Sequence, residues 1–202
     1  MIEVNNFDKI SNLLRFDGNS VYLVWLVLRN KDGNTKAKGN NKNRTIKSYY
    51  FKDKEHFESR REEIITLCKT FNCRAYICVN PKPIKHVLHQ LQNRLTEVIF
   101  NHDNGQNVNF NSMIDSAIMK ASCQNDKLWV VDIDVQDPNY TLQVFNAIDD
   151  ARSSYDCNVV TTILTAHGVH LITHRFDVNS IKDFDVDIKK EGLTLLYACL
   201  EE

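Results

Sequence analysis

The sequence of 202 residues contains no Cys-x-x-Cys pair, although it has six cysteines. Cys68, Cys73 and Cys78 follow one another at intervals of five residues, which is not a usual spacing for zinc ligands. A secretory signal and an apolar run of 18 residues are also missing, so we expect no membrane contact. These absences favour a cytoplasmic protein with reduced thiols, most of which are expected to be small core residues.

The sequence has no overall excess of charge, since its formal net charge is −1, but its two halves differ. Residues 1–100 hold 18 Lys and Arg against 10 Asp and Glu, whereas residues 101–202 hold 7 against 16. A basic half attracts phosphates, and clustered aspartates attract divalent cations. The distribution is typical of an enzyme that handles nucleic acid or nucleotides with a metal, although chance explains it equally well until motifs are considered.

Hydrophobic periodicity predicts one compact α+β domain of two lobes. The predicted strands are residues 20–30, 45–51, 74–80 and 127–135, two within 159–177 and two within 185–200. The predicted helices are residues 55–71, one that begins near Pro81 and Pro83, residues 112–122, and one that begins at Asp137-Pro138. We expect a basic N-terminal α/β lobe, residues 1–110, packed on an acidic lobe, residues 111–202, whose order of elements resembles an RRM-like antiparallel sheet.

Two carboxylates, Asp132 and Asp134, stand at the end of the apolar strand predicted at residues 127–135. Side chains two apart on a strand project from the same face, so both carboxylates are expected to lie together. Their mutual repulsion is relieved if a divalent cation binds between them, and oxygen ligands favour Mg²⁺ or Mn²⁺ over zinc. A lone Asp-x-Asp pair is equally often a pair of solvated carboxylates, so this motif needs support from elsewhere in the sequence.

Two further features come later in the chain. Gly168 lies in a predicted turn where the backbone can approach a ligand closely, and His170 begins the next strand. Asp187 lies between Val186 and Ile188 on a short apolar strand, which favours it over the nearby Asp185 as a third acidic residue. Taken singly, the histidine is more often structural and the aspartate more often a turn residue.

The ordered set of Asp132 and Asp134, then Gly168 and His170, then Asp187 resembles the catalytic core of the archaeo-eukaryotic primases and primase-polymerases. The resemblance covers residues 127–199, and residues 20–100 fit the N-terminal lobe of that family only in outline. One departure is His167, which stands where the family often has a small residue before the glycine. No zinc-binding cysteine module of the kind carried by some primases is visible.

The resemblance implies template-directed synthesis of primers, or extension of nucleic acid, by a two-metal mechanism. Asp132, Asp134 and Asp187 would be the catalytic residues and would hold Mg²⁺ or Mn²⁺, and His170 would contact the phosphates of a nucleoside triphosphate. Gly168, Arg74 and Lys82 are further candidates for nucleotide binding, although Arg74 and Lys82 also fit a solvated strand end. The implied partners are nucleoside triphosphates, a single-stranded DNA or RNA template and a separate helicase.

The template would follow residues 29–54, which carry nine basic residues against two acidic ones. Two alternatives stay open at this point. A small metal-dependent nuclease would use the same aspartates. A non-catalytic module that binds single-stranded nucleic acid would use the basic loop and the aromatic strand that follows it, and the aspartates would be structural.

Overall fold

The computed structural model of the chain describes residues 2–29, 32, 43–101, 109–123 and 126–200. These residues form an α+β fold with two antiparallel sheets, which confirms the predicted class. The strands are β1 (Ile2–Asn5), β2 (Ser20–Arg29), β3 (Asn43–Phe51), β4 (Arg74–Cys78), β5 (Lys82–Pro83), β6 (Trp129–Ile133), β7 (Val159–Leu164), β8 (Val169–Thr173), β9 (Asp187–Lys189) and β10 (Leu193–Leu200). The helices are α1 (Phe7–Leu13), α2 (Lys54–Ser59), α3 (Arg61–Phe71), α4 (Ile84–Asn101), α5 (Phe110–Lys120) and α6 (Pro138–Asp149).

The first sheet has the strand order β1-β10-β4-β2-β3, and the short β5 also pairs with β2. This sheet combines strands from both predicted lobes, because β10, which comes after residue 110, lies between β1 and β4. Strands β9 and β10 are consecutive in the chain but do not pair as a hairpin, because β9 belongs to the other sheet. Within residues 29–54, the basic stretch predicted to follow the template, residues 30, 31 and 33–42 lie outside the described residues.

Strand β2 is buried on both faces, which explains its nearly continuous apolar sequence. Tyr22 and Val24 point into the main core, where they join Phe57 and Ile64 from α2 and α3. Leu23 points the other way, into a smaller core with residues of α4 and α5. Burying each such side chain contributes roughly 1.5–3 kcal/mol, so these contacts secure helices on both sides of the first sheet.

The second sheet has the strand order β7-β8-β6-β9. Its outer face packs on α6, where Val131 and Ile133 are buried with Val144 and Ile148. Its inner face carries Val130, which belongs to the same buried cluster as residues of the first sheet. The apolar residues at one end of this inner face therefore join the two sheets.

Side-chain amides connect the sheets further. The buried Asn80, just after β4, donates to the Leu128 carbonyl and accepts from the Leu128 amide, both at 2.8 Å. The buried Asn6 donates to the carbonyls of Leu164 and Leu195, which lie in different sheets. These bonds fix where β6 begins and how the inner face of the second sheet lies against the first.

Two local predictions had different outcomes. The helix predicted at residues 55–71 is two helices, α2 and α3, which meet at Arg60. The helix start predicted at Asp137-Pro138 is confirmed, because the Asp137 side chain caps the helix by accepting from the Asn139 amide at 2.9 Å and Pro138 is its first residue. Five of the six cysteines are buried, as expected of small core residues, and none of the six forms a disulfide. In the part of the chain that the structure describes, no helix is both long enough and apolar enough to cross a membrane.

Candidate functional site

A cleft of about 750 Å³ lies between the two sheets. The second sheet contributes Asp132, Asp134, His170 and Lys189 to its lining. The first sheet contributes polar and aromatic side chains to the opposite wall, namely Trp25, Arg29, Asn43, Thr45, Arg74 and Tyr76. One wall therefore carries carboxylates beside His170 and Lys189, and the facing wall carries guanidinium groups, aromatic rings and the Asp32 carboxylate.

Asp132 is directly opposite two other predicted site residues in the second sheet. Its Cα pairs with that of His170 on β8 and with that of Asp187 on β9. Side chains of directly opposed residues in neighbouring strands lie on the same face, so these three share the inner face of the sheet. Asp185 precedes β9 and has no such partner, so of the two candidate aspartates it is Asp187 that lies beside Asp132.

Both carboxylate oxygens of Asp132 contact a nitrogen donor. His170 Nε2 is 3.1 Å from Oδ1, and Lys189 Nζ is 2.6 Å from Oδ2. The hydrogen bond from His170 lowers the pKa of Asp132 well below its usual range, and the contact with Lys189 adds to this against the opposing effect of burial. Burial is the largest single influence on the pKa of Lys189 and lowers it, but the interactions with Asp132 and Asp187 together outweigh burial and raise the pKa. Asp132 is therefore an ionised carboxylate held by two donors.

His170 is buried and uses both ring nitrogens within the protein. Its Nδ1 lies 2.9 Å from the hydroxyl of Thr194, which is fully buried on β10 of the first sheet. Its Nε2 contacts Asp132. The imidazole is thus fixed between the two sheets, and it holds Asp132 in place. The predicted contact between His170 and a phosphate requires the bond to Asp132 to open.

Asp134 and Gly168 meet at the end of β6. Asp134 is exposed and lines the cleft. A Cβ atom added to Gly168 would stand 2.0 Å from the carbonyl oxygen of Ile133 and 3.1 Å from the Cα atom of Asp134. The glycine is therefore required because the turn before β8 packs directly against the backbone that carries Asp134. This contact explains on structural grounds why position 168 is a glycine, although the sequence predicted a role for Gly168 in nucleotide binding.

Lys189 also contacts the third predicted carboxylate. Its Nζ lies 3.4 Å from Asp187 Oδ2, so one ammonium group touches both Asp132 and Asp187. The side chain of Asp187 is 69% exposed and is free to take other rotamers. Among the described residues, no three Asp, Glu, His or Cys side chains stand close enough together to form a metal-binding group.

Arg74 lies on the opposite wall of the cleft, within an ion pair. Its Nε and Nη2 atoms are 2.8 and 2.6 Å from the two carboxylate oxygens of Asp32, and only about one-twentieth of either side chain is exposed. Arg29 donates to the Tyr76 hydroxyl at 3.2 Å beside it. The guanidinium group of Arg74 is therefore committed to Asp32, whereas Arg29 contacts a neutral group.

The placement of Lys82 does not favour the predicted phosphate contact. Its side chain has no exposed surface, and its ammonium group lies 2.7 Å from Glu191 Oε2. Glu191 also pairs with Lys127, just before β6. Because a buried charge without its partner is costly, Lys82 is held in this ion pair, where it connects β5 to the turn before β10.

Sequence reasoning missed Lys189 and Thr194. Lys189 stands two residues after Asp187, so strand alternation would have placed both on one face, and this signal was available. Thr194 carried no comparable signal, because it reaches His170 from a strand of the other sheet.

Comparisons with known proteins add nothing to this picture, since no protein-family model, curated protein or solved structure matches the chain. Any resemblance to primases therefore depends on the motif residues and their geometry.

Proposed function

We propose that the protein is a nucleotidyltransferase of the primase-polymerase type, which extends or primes nucleic acid on a single-stranded template. The observation that carries the proposal is the register of Asp132 with His170 on one side and Asp187 on the other. These residues are far apart in the sequence and belong to three separate motifs of the family. Three residues without a shared role would not be expected to occupy directly opposed positions on adjacent strands.

The strand order supports the same assignment. The second sheet begins with β6, continues through α6 to β7, β8 and β9, and has the spatial order β7-β8-β6-β9. The first strand of the unit is thus central and lies between its third and fourth strands, which is the arrangement expected of an RRM-like sheet. It brings Asp132 on β6, which Asp134 follows, next to both other motifs.

The three carboxylates suit Mg²⁺ or Mn²⁺. Their oxygens are the hard ligands that these ions prefer, and the position of Lys189 between Asp132 and Asp187 is one that attracts positive charge. Asp134 and Asp187 are exposed, so their side chains can turn towards a cation beside Asp132. When bound here, such ions supply Lewis-acid stabilisation of the negative charge that develops on phosphate oxygens.

The other cleft residues would orient the nucleotide. His170, fixed by Thr194, keeps Asp132 ionised and aimed at the cleft. Arg29 on the facing wall offers positive charge, and Trp25 and Tyr76 offer aromatic faces for a base. The cleft volume of about 750 Å³ suits a nucleotide-sized ligand.

Primer extension with Mn²⁺ on a single-stranded DNA template tests the proposal. Asp132→Asn and Asp187→Asn are expected to lower the rate by about 100-fold or more, because even indirect partners of a catalytic metal typically contribute 10- to 100-fold. Asp185→Asn is the matched control, since this exposed aspartate lies two residues from Asp187 but outside the register. Wild-type activity in Asp132→Asn, with an unchanged melting temperature, contradicts the proposal.

The same assay separates the alternatives. Shortening of the labelled strand in Mn²⁺ without nucleoside triphosphates identifies a nuclease. The contact between Lys189 and Asp132 favours a non-catalytic binding module, because it gives the aspartate a structural partner. That alternative predicts salt-sensitive binding to single strands that needs no divalent ion and persists in Asp132→Asn.

A further inference from the structure

Lys189 occupies the position of a cation in the acidic site. Its ammonium group lies 2.6 Å from Asp132 and 3.4 Å from Asp187, and His170 holds the other oxygen of Asp132. Any divalent ion that binds both carboxylates must meet this ammonium group at close range. Two positive charges a few ångströms apart repel strongly, so one of the nitrogen donors has to leave.

The two donors differ in how easily they can leave. The His170 side chain is 8% exposed, and Thr194 holds its second nitrogen from the other sheet. The Lys189 side chain is 38% exposed and lies on β9, an edge strand of the second sheet. Lys189 also lines the open cleft, so its ammonium group can move into solvent while the imidazole stays.

The chain also makes room for the lysine stem. A Cβ atom added to Gly192 would stand 2.5 Å from Lys189 Cβ and 3.2 Å from its Cδ atom. The lysine stem thus lies across the backbone of the turn that precedes β10. The ammonium group at the end of this stem contacts Asp132.

From these contacts we infer that Lys189 is an internal competitor for the divalent cation: its ammonium group bridges the Asp132–Asp187 pair in the metal-free protein and must be displaced when metal binds. The inference rests on the proposed metal-dependent function, and it assigns to Lys189 the control of metal affinity. Each cation excludes the other from the carboxylates, so the two binding equilibria are opposed. The metal-free carboxylates meanwhile avoid mutual repulsion.

Titration of the purified chain with Mn²⁺ alone, followed by the electron paramagnetic resonance of the free ion and by calorimetry, tests this inference. Lys189→Met removes the ammonium group and keeps an unbranched side chain, and it is expected to bind Mn²⁺ about tenfold more tightly than wild type, within the usual range of coupling between sites. Lys189→Arg keeps the charge and is expected to bind no more tightly than wild type.

Lys190→Met is the matched control. It removes the same charge one residue along the chain, where the ammonium group lies over the Trp129 ring, so Mn²⁺ affinity is expected to stay unchanged. Thermal unfolding without metal verifies that each variant is folded. If Lys189→Met does not fold, Lys189→Gln replaces it, with the same tighter binding expected.

Three outcomes are distinct. Tighter binding in Lys189→Met but not in Lys190→Met supports the inference. Equal affinity in wild type and Lys189→Met overturns it and leaves the metal site intact. Lack of Mn²⁺ binding in wild type and in Lys189→Met overturns the metal site, and the inference with it.

Discussion

Gly168 and Ile133 are in such close contact that a single added methyl group would stand 2.0 Å from the Ile133 carbonyl oxygen. The atom that would be struck is backbone, so it cannot rotate out of the way. Gly168→Ala is therefore expected to displace the end of β6, where Asp134 follows, and to lower the free energy of unfolding by about 1–3 kcal/mol.

Chemical denaturation measures that change, and the Mn²⁺ titration reports whether the carboxylates have moved. Leu164→Ala is the control, because this side chain ends the preceding strand and is 52% exposed, so a change within about 0.5 kcal/mol is expected. If Gly168→Ala has the same free energy of unfolding as wild type, the turn can accommodate a methyl group and this expectation is contradicted.

The hydroxyl of Thr194 is expected to position His170. Thr194→Val keeps the shape of the side chain but leaves a buried imidazole nitrogen without its partner, which costs about 1–3 kcal/mol. We also expect ¹⁵N resonances of His170 to shift and Mn²⁺ affinity to fall, because Asp132 loses its fixed donor. Thr194→Ser retains the hydroxyl and is expected to restore both readouts, whereas failure of the serine variant to do so would indicate that only the methyl group matters.

The buried pair of Arg74 and Asp32 gives a double-mutant cycle. Arg74→Met leaves the Asp32 carboxylate buried without its partner and is expected to destabilise the protein by about 3–5 kcal/mol. The double variant with Asp32→Leu is expected to recover much of this loss, because two apolar side chains need no partners. Urea denaturation of the four proteins measures the coupling.

The same double variant tests the sequence-based role of Arg74. If its folded form binds a nucleoside triphosphate as wild type does, the arginine is a structural residue. If the double variant is nearly as stable as wild type but does not bind the nucleotide, the predicted contact between Arg74 and phosphate is supported.

Acid is expected to weaken the contact between β3 and α3 through Glu63. Hydrogen bonds from Lys47, Tyr49 and Arg60 lower the pKa of Glu63 from 4.5 to about 2. The folded state therefore binds its proton less readily than the unfolded chain, so the stabilisation is present above pH 4.5 and is lost as the pH falls towards 2. Solvent screens this partly exposed group, which limits the contribution to about 1 kcal/mol.

Unfolding free energies of wild type and Glu63→Gln, measured between pH 7 and pH 2, check this expectation. The difference should be constant near neutral pH and shrink below pH 4.5. A difference that stays constant down to pH 2 would mean that the lost charge is not its cause.

Most helices and strands could be predicted because their signals are local. The apolar run of β2 and the cap formed by Asp137 and Pro138 depend on neighbours in the chain. The break at Arg60 was missed, because α2 and α3 continue one helical pattern and a change of direction after one residue leaves little trace in it.

Pairing between distant strands could not be predicted from the sequence, and this pairing determines which candidate residues lie next to one another. The sequence singled out Asp132, His170 and Asp187 as chemically suitable, but only the register of three strands placed them on one face. It also could not indicate that β10 crosses to the first sheet and brings Thr194 to His170.

The sequence by itself determined which segments are strands and helices and which side chains can bear charge beside a phosphate, because these depend on residue type and short-range periodicity. Only the tertiary structure decided which charges are already neutralised. Lys82 and Arg74 look like free cations in the sequence, but folding buries each beside a carboxylate from a distant segment. The physical reason is that a buried charge requires a partner, and which partner it meets depends on contacts that span the chain.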